Sequence, residues 1–579
     1  MVKKNPREVD VRFCMCFPDV YEIGMSHLGI QILYDMFNRW DDTYCERVYS
    51  PWPDMDKILR EKNIPLFALE SQEPIRAFDF LGITIQYEMC YTNILQVLDL
   101  SHIPLHAGER TWDDPIVIGG GPCTYNPEPI AEFFDIFYIG EGETVYRELL
   151  DVYKDSRQKG EDRLTFLKRT SGVEGLYVPL LYDVTYHEDG TIASMEPNCK
   201  EAPNRVKKQV VTDLSDTYYP SKPLVPYIRA TQDRVVLEIQ RGCIRGCRFC
   251  QAGMIYRPIR PRKLDFLKQR AIEMLDNTGY EEITLSSLSS SDYDELADLV
   301  YYLIEECRQR KLNIALPSLR IDAFSLDVMR KSSLTFAPEA GSQRMRDVIN
   351  KGLTKDVILK GAWEAFQGGW KRVKLYFMLG LPGETDEDIA AIAELANDIA
   401  ATYFELPKEE RQGRPEITAS TSFFVPKPFT PFQWAPMGTA EYFDEKRRFL
   451  TGKVREQINQ RSIRYICHDA VTSELEGIFA RGDRKLSDVI EKAYKKGCIF
   501  DAWTDYFRPD VWNELLDELS VDRDFYNYRE RNEDEIFPWD FIDIGVSKQF
   551  LRREYENAKQ GKVTPNCKQK CSGCGAASF

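Results

Sequence analysis

The chain has 579 residues, which predicts about three or four domains with sizeable cores. Hydrophobic residues make up 43% and charged residues 29%, which excludes a mainly disordered protein. The net charge of −16 argues against nucleic-acid binding by the whole surface, although one basic cleft remains compatible with it. No stretch reaches the ~18 apolar residues of a membrane helix, and residues 1–10 lack the apolar run of a secretory signal. We therefore expect a soluble, cytoplasmic protein with no membrane partner.

Residues 1–155 alternate short strands with amphipathic helices, which predicts an α/β domain with a parallel sheet covered on both faces. Strands are predicted at 9–17, 80–86, 115–119 and 136–140, and helices near 24–38, 92–101 and 143–154. Loops rich in glycine follow two of these strands, where ligands of open α/β sheets bind. Residues 156–225 contain β-like runs such as 175–185 and an Asp189-Gly190 turn, which predict a connecting region with a hairpin insert.

Residues 226–435 return to strand and helix alternation. Strands are predicted at 235–239, 282–286, 312–316, 333–337, 372–378 and 416–425. Asp292 and Thr385 are predicted to cap two of the intervening helices, since apolar residues at helical spacing follow each of them. Six such units predict a partial (β/α)6 barrel with its site at the C-terminal ends of the strands.

Residues 436–558 are predicted to be mostly helical, and residues 559–579 form a polar tail. The helical segments lie near 441–459, 486–496, 509–519 and 546–558. Nine of the 15 cysteines are scattered, and we expect most of them to be small buried apolar residues: Cys14, Cys16, Cys45, Cys90, Cys123, Cys199, Cys307, Cys467 and Cys498.

The strongest motif is the C-x3-C-x2-C spacing of Cys243, Cys247 and Cys250, directly after a predicted strand. Thiolates are soft ligands that suit iron–sulfur clusters or zinc. Three thiols favour a 4Fe-4S cluster with one open iron, because a structural zinc site uses four protein ligands. A zinc site completed from elsewhere in the chain is the alternative.

This motif, with Phe249 before the last cysteine, resembles that of the radical S-adenosylmethionine (SAM) enzymes. The resemblance implies that the open iron chelates SAM and that one electron cleaves SAM to methionine and a 5′-deoxyadenosyl radical. It also implies an electron donor such as flavodoxin or ferredoxin. The implied SAM-binding residues follow the second, fourth and fifth barrel strands: Ser289, Ser290, Asp292, Glu339, Ser342, Gly380, Pro382 and Gly383. The usual Gly-Gly-Glu of the second strand is absent, and 289–292 stands in for it.

The N-terminal domain resembles the Rossmann-like cobalamin-binding domain that precedes many radical SAM barrels. Together with 424–432, its loops at 17–29, 117–122, 126–129 and 140–143 resemble a largely uncharacterised family of cobalamin-binding-type radical SAM proteins. The implied corrin contacts are Tyr21, Gly24, His27, Gly119, Gly120, Gly121, Glu141 and Gly142. The Asp-x-His-x-x-Gly motif that places a histidine on cobalt is missing. Two alternatives follow: a corrin held without a protein histidine, or a domain that has kept its fold and lost the cofactor.

Residues 241–270 hold nine Arg or Lys residues and one acid, Asp265, in an acidic chain. Three interpretations remain: positive charge that serves the anionic cluster and SAM, an RNA-binding cleft, or a solvated loop. We expect Arg257 and Arg260 to lie close to the cluster.

Cys567, Cys571 and Cys574 repeat the C-x3-C-x2-C spacing in the tail. This predicts a second iron–sulfur or zinc centre, with a redox-active thiol tail as the alternative.

The favoured function is cobalamin-dependent methyl transfer to an unactivated carbon by a radical SAM enzyme. The alternatives are methylthiolation of RNA or protein, with the tail centre supplying sulfur, and a non-catalytic iron–sulfur or zinc RNA-binding module. The substrate, a small molecule, RNA or protein, and the oligomeric state are not encoded in any motif that we recognise.

Overall fold

The structure, a computed structural model, describes residues 1–315 and 334–578. A six-stranded sheet in the order β2-β1-β3-β4-β5-β6 forms the core of the N-terminal domain. Its strands are β1 (Val11–Phe17), β2 (Thr43–Tyr49), β3 (Phe80–Thr84), β4 (Ile116–Gly120), β5 (Ile136–Tyr138) and β6 (Leu176–Tyr177). Its helices are α1 (Tyr21–Gly24), α2 (Leu28–Asn38), α3 (Pro53–Lys62), α4 (Tyr91–Leu100), α5 (Tyr146–Lys159) and α6 (Arg163–Thr170).

Strands β1 to β5 are parallel and β6 is antiparallel, which confirms the predicted α/β class. The strand order reverses between β1 and β3, and such switch points are where doubly wound sheets bind ligands. The sequence did not reveal β2, because Glu46 and Arg47 interrupt its apolar pattern. Both are buried in ion pairs, Glu46 with Arg12 at 3.0 Å and Arg47 with Glu70 at 2.8 Å. The expected domain boundary at 155 falls inside α5.

A hairpin and a short strand connect the first domain to the barrel. Strands β7 (Tyr182–Tyr186) and β8 (Ile192–Pro197) are antiparallel and turn at Asp189 and Gly190, which confirms the predicted hairpin. Strand β9 (Val206–Lys207) follows.

The barrel region consists of two arcs of parallel strands, β10-β13-β14 and β15-β16-β17-β18. Its strands are β10 (Val235–Glu238), β11 (Gln240–Arg241), β12 (Arg260–Pro261), β13 (Glu282–Ser286), β14 (Asn313–Ala315), β15 (Leu334–Glu339), β16 (Arg372–Leu379), β17 (Glu416–Phe423) and β18 (Ile463–Cys467). Its helices are α7 (Ala252–Ile255), α8 (Leu264–Thr278), α9 (Leu296–Arg310), α10 (Gln343–Val348), α11 (Lys355–Gln367), α12 (Asp386–Tyr403) and α13 (Ala440–Glu456).

Two details of this region differ from the sequence prediction. Strand β18 adds a seventh parallel strand in a region predicted to be mostly helical. The predicted cap at Asp292 is wrong, because α9 begins at Leu296 and the Asp292 carboxylate binds Ser289 and Arg245 instead. The predicted cap at Thr385 is confirmed. Positions 316 and 333, the ends of two predicted strands, lie outside the described residues.

The C-terminal region contains α14 (Ala470–Arg481), α15 (Leu486–Lys495), α16 (Pro509–Glu518), β19 (Ile542–Asp543) and α17 (Lys548–Lys559). These helices share one hydrophobic core with the N-terminal sheet. Polar contacts reinforce that packing: Thr92 Oγ1 donates to Asp501 at 2.7 Å, and Asn126 Nδ2 donates to the Ala480 carbonyl at 3.0 Å. Helix α14 was not predicted.

Of the nine scattered cysteines, all but Cys199 and Cys467 are buried, and these two are half-buried. None of the helices in the described ranges is long and apolar enough to span a membrane.

Candidate functional site

The loop that follows β10 carries the first cysteine triad, which we call the loop triad: Cys243, Cys247 and Cys250. Two backbone N–H groups point at its sulfurs, Arg245 N at 3.4 Å from Cys243 Sγ and Gly253 N at 3.3 Å from Cys250 Sγ. Burial, with a contribution from the neighbouring thiols, raises the pKa of Cys243 to about 11 and that of Cys250 to about 12. The thiols of this loop therefore need a nearby positive charge, such as that of a metal centre, to become thiolates near pH 7.

The fit to an iron–sulfur cluster rests on this donor set. Within residues 1–315 and 334–578, no three His, Cys, Asp or Glu side chains converge closely enough to hold a single metal ion, the cysteine triads included. The loop offers three soft thiols on one short segment, and two of the sulfurs accept N–H bonds. Hydrogen bonds to cysteine sulfur are among the groups that tune iron–sulfur clusters, so the residues fit a cluster with one open iron.

Two buried arginines hold the loop in place. Arg248 is fully buried and donates to the Asp347 and Val348 carbonyls at 3.2 and 2.8 Å. Arg257 donates to the carbonyls of Gly253 and Arg245, both at 3.0 Å. Arg257 thus lies at the loop as predicted, but its hydrogen bonds brace the backbone.

Two further arginines of the basic stretch are also engaged in the fold. Arg260 binds Glu141 at 2.7 Å and the Val211 carbonyl, which ties the barrel to the N-terminal domain rather than placing its charge at the loop triad. Arg262 pairs with Glu238. Because Arg248, Arg257, Arg260 and Arg262 are all buried, these four form neither an RNA-binding cleft nor a solvated loop.

The loop after β13 contacts the loop triad through one ion pair. Ser289 Oγ donates to Asp292 at 2.7 Å, and Asp292 accepts from Arg245 Nε at 3.0 Å. The backbone N–H of Arg245 is the one that points at Cys243. The Ser290 and Ser287 hydroxyls lie 3.0 Å apart. Ser289, Ser290 and Asp292 are therefore brought beside the loop triad.

The end of β15 contacts the other side of the same loop. Glu339 has φ +68°, a strained value for a non-glycine residue, and accepts from Lys351 Nζ at 3.1 Å. Lys351 Nζ lies 5.9 Å from the ring centroid of Phe249, and its charge lowers the pKa of Cys250 against the larger effect of burial. Sequence reasoning missed Lys351, because no motif marks it and only the turn after α10 brings it to the loop.

The remaining implied SAM residues follow β15 and β16. The Ser342 hydroxyl caps α10 and donates to Asp388, so it is already engaged. Gly380 N donates to Glu384 at 2.7 Å, and Gly383 is exposed with φ +76°. Pro382, between them, is half-buried. Burial raises the pKa of Glu384 to about 8, and sequence reasoning did not single out this carboxyl group.

A cavity of about 420 Å³ lies at the switch point of the N-terminal sheet and extends to the barrel. Glu238, Gln240, Arg241, Ser286 and Leu288 line it from the barrel side. Gly242, which immediately precedes Cys243, also lines it, so the cavity reaches the residue next to the loop triad. Its volume falls within the range of small-molecule and cofactor sites.

The implied corrin contacts divide into two groups. His27, Gly120, Gly121, Glu141 and Gly142 line the cavity, whereas Tyr21, Gly24 and Gly119 do not.

The glycines among the implied corrin contacts are small for different reasons. A Cβ on Gly24 would lie 2.4 Å from the Tyr49 ring, and one on Gly119 would lie 2.7 Å from the Phe137 ring. Both are therefore small because of packing inside the domain, which corrects the expectation that they admit a corrin. A Cβ on Gly120 would meet nothing within 4 Å, so Gly120 opens onto free space.

His27 is the N-cap of α2. Its Nδ1 accepts the Ile30 N–H at 3.2 Å, which occupies the lone pair of that nitrogen. Burial lowers the pKa of His27 to about 4, so the ring is neutral near pH 7. The cavity residues therefore fit a cofactor that is held by shape and polar contacts more readily than by this imidazole.

Ion pairs across the cavity join the two domains. Arg241 binds Glu143 at 3.2 Å and Glu238 at 2.9 Å, while Glu141 accepts from Arg260 at 2.8 Å and from Val211 N at 2.8 Å. Glu141 thus orders the wall of the cavity, a role that its sequence position after a strand did not specify.

The second cysteine triad, which we call the tail triad, comprises Cys567, Cys571 and Cys574. Cys567 and Cys571 are exposed and Cys574 is half-buried. The backbone N–H of Cys567 donates to the Ile244 carbonyl at 3.2 Å, so the tail lies against the loop triad.

Comparison with known families matches two parts of the chain. Residues 29–179 match the model of the N-terminal domain of radical SAM proteins, and residues 237–396 match the model of the radical SAM superfamily. The first match extends to β6, consistent with a sheet that ends beyond residue 155.

Individual proteins show the same likeness. An uncharacterised protein of Methanocaldococcus jannaschii is 29% identical over 516 residues, covering 86% of this chain and 97% of its own. A tRNA-2-methylthio-N(6)-dimethylallyladenosine synthase of Coxiella burnetii is 23% identical over 227 residues, covering 36% of this chain and 51% of its own. The structure of the radical SAM methyltransferase TsrM from Kitasatospora setae, with cobalamin and a 4Fe-4S cluster bound, shares this fold. It matches with a TM-score of 0.52 and 12% identity, and the match covers 84% of this chain and all of the other.

Proposed function

The chain belongs to the radical SAM superfamily, and we propose that it cleaves SAM reductively at a 4Fe-4S cluster bound by Cys243, Cys247 and Cys250. The observation that carries the proposal is the position of these thiols. They lie on the loop after β10, between Arg245 paired with Asp292 and Lys351 paired with Glu339. Both cations lie beside sulfur, where positive charge stabilises an anionic cluster and the SAM carboxylate.

The neighbouring groups supply polar contacts of both signs for the amino acid part of SAM. Asp292 and Glu339 offer carboxylate oxygens to an ammonium group, and Arg245 and Lys351 offer donors to a carboxylate. Phe249 lies under Lys351 and packs against the hydrophobic core. We assign a positioning role to Arg248 and Arg257, since both bind backbone carbonyls rather than projecting into the site.

We further propose that the N-terminal domain holds cobalamin and that the reaction is methyl transfer to an unactivated carbon. When bound, the cluster and SAM supply a carbon-centred radical, and the corrin supplies a methyl group. The support is the cavity at the sheet switch point, which reaches Gly242 next to the loop triad. In this arrangement, Gly120 leaves free space in the cavity for the corrin. Ion pairs of Arg241 with Glu141 and Glu143 join the barrel side of the cavity to the side formed by the N-terminal domain.

Two experiments test this function. The anaerobically reconstituted protein, given SAM and a one-electron donor such as reduced flavodoxin or ferredoxin, should form 5′-deoxyadenosine. If the reconstituted protein formed no 5′-deoxyadenosine under these conditions, the SAM proposal would be contradicted.

For the corrin, Gly120→Leu should reduce cobalamin binding at least about tenfold, because the added side chain fills open space in the cavity. Gly108→Leu is the matched control: it lies outside the cavity, is exposed, and also has no atom within 4 Å of its added Cβ. Equal cobalamin affinity in the two variants would show that the corrin does not bind in this cavity.

Methylthiolation of RNA or protein is the second candidate function. Two observations favour it: the tail triad lies against the loop triad, and part of the chain resembles the Coxiella burnetii synthase. Sulfur in the isolated product would distinguish this reaction from methyl transfer. A non-catalytic RNA-binding module is less well supported, because the arginines that suggested it are mostly buried.

A further inference from the structure

The tail follows a defined path along the loop triad. After α17, the Lys562 carbonyl accepts from Arg248 Nη2 at 2.6 Å. Further along, Thr564 N donates to Asn350 Oδ1 at 2.9 Å. The path ends where Cys567 N reaches the Ile244 carbonyl at 3.2 Å. Each contact is made to a backbone atom of the tail, so together they fix the course of the chain.

Side chains from three elements add to this docking. Asn350 Nδ2 is shared by the carbonyls of Gly246 and Thr564, both at 3.1 Å, and so bridges the loop to the tail. Glu554 accepts from Thr564 Oγ1 at 2.8 Å and pairs with Arg248 at 3.1 Å. Lys568 Nζ donates to the Asp292 carbonyl at 2.8 Å. The tail is therefore anchored to the residues that surround the loop triad.

These contacts bound the separation of the two triads. Ile244 follows Cys243 directly, and its carbonyl meets the N–H of Cys567. With ordinary backbone dimensions, the Cα atoms of Cys243 and Cys567 are no more than roughly 11 Å apart.

The tail triad has the donor chemistry of the loop triad. Its three thiols have the same C-x3-C-x2-C spacing. Backbone hydrogen bonds hold this triad at both ends, since Cys567 N donates to the Ile244 carbonyl at 3.2 Å and the Cys574 carbonyl accepts from Ser547 N at 2.9 Å. Arg257 reaches the same place, because its Nη2 donates to the carbonyl of Arg245, the residue after Ile244. Among the described residues its Nη1 has no hydrogen-bond partner, although the side chain is only 4% exposed. A buried guanidinium that binds neutral carbonyls and has one nitrogen without an acceptor indicates a place for an anionic group beside the tail.

We infer that Cys567, Cys571 and Cys574 bind a second iron–sulfur cluster, which lies directly against the loop triad. Three soft thiolates leave a cluster with net negative charge, and such a cluster gives Arg257 a partner for its positive charge. Since Arg257 also donates to Gly253 and Arg245, it would link the two centres through one side chain. The inference concerns metal binding and does not require that SAM be cleaved.

Metal and sulfide analysis of the anaerobically reconstituted full chain tests this. Wild type should hold about eight iron atoms per chain. The Cys567/Cys571/Cys574→Ala variant and the Cys243/Cys247/Cys250→Ala variant should each hold about four. Cys199→Ala, which removes a half-buried thiol outside both triads, should match wild type. Iron retained by the loop-triad variant would support the tail site even if no SAM were cleaved.

Electron paramagnetic resonance tests the placement. In reduced wild type, two clusters at this separation should broaden one another's signals. Each triple variant should give a narrow spectrum of one isolated cluster. Equal iron in wild type and the tail-triad variant, zinc in place of iron at the tail, or two clusters without mutual broadening would overturn the inference.

Discussion

The two cysteine triads have one spacing and two environments. The loop triad follows a strand, and its thiols are half-buried. Arg248 and Arg257 brace this loop through hydrogen bonds to backbone carbonyls. The tail triad follows the last helix, and two of its three thiols are exposed. The comparison teaches that spacing specifies a donor set, whereas long-range contacts decide how that set is buried and charged. Four predictions test the difference.

The largest difference should be in SAM cleavage. Cys247→Ala should abolish 5′-deoxyadenosine formation, because it removes one of three ligands of the proposed catalytic cluster. Cys571→Ala should leave cleavage within about tenfold of wild type when a chemical reductant replaces the protein donor. Chromatographic assay of 5′-deoxyadenosine measures both, and full activity in Cys247→Ala would reject the loop site.

Arg248→Met should weaken both triads together. It removes donors to Val348 and Lys562 and breaks the ion pair of 3.1 Å with the buried Glu554 carboxylate. Breaking a buried pair in this way costs about 3–5 kcal/mol of unfolding free energy. Denaturant unfolding and iron content measure the effect, and the control is Arg308→Met, which removes an exposed arginine of α9 that pairs with Glu305 at 3.4 Å. A normal iron content and stability in Arg248→Met would show that neither triad depends on this side chain.

In metal-free protein, the two triads should differ in alkylation rate. The pKa of about 11 at Cys243 leaves few thiolates at pH 7.5, so iodoacetamide should label it at least ~100-fold more slowly than the exposed Cys571. Labelling of Cys243 should rise about tenfold per pH unit until the pH nears 11. Mass spectrometry of labelled peptides gives both rates. Equal rates at pH 7.5 would show that the loop opens fully without metal.

The smallest effect should come from the contact that joins the triads. Asn350→Gly keeps a backbone that tolerates φ +53° and deletes the bridge between Gly246 and Thr564. Losing these hydrogen bonds should cost about 1–2 kcal/mol, seen as roughly tenfold faster amide hydrogen exchange in 562–569. Asn63→Gly, at φ 50° on the end of α3, is the matched control. Unchanged exchange in Asn350→Gly would mean that other contacts hold the tail.

The sequence predicted what local pattern encodes. Alternating strands and helices gave the α/β class, and the cysteine spacing gave both triads. It missed β2, because buried ion pairs at Glu46 and Arg47 look like surface charge in a linear sequence. It also missed Lys351 and Asn350, which reach the loop triad only through the turn after α10. For Gly24 and Gly119 the sequence analysis expected room for a corrin. Each is instead small because an aromatic ring of a neighbouring strand packs against it, Tyr49 and Phe137 respectively.

The shared core of the N-terminal sheet and the C-terminal helices has a consequence for biosynthesis. Helix α4 packs against α15, and Thr92 bonds to Asp501, its partner 409 residues later. At ~5–20 residues per second, a ribosome needs about 20–80 seconds to make the intervening chain. Throughout that time the nascent N-terminal domain presents an uncovered apolar face. Newly made chains should therefore depend on chaperones, and the N-terminal domain expressed by itself should aggregate unless the C-terminal helices are supplied with it.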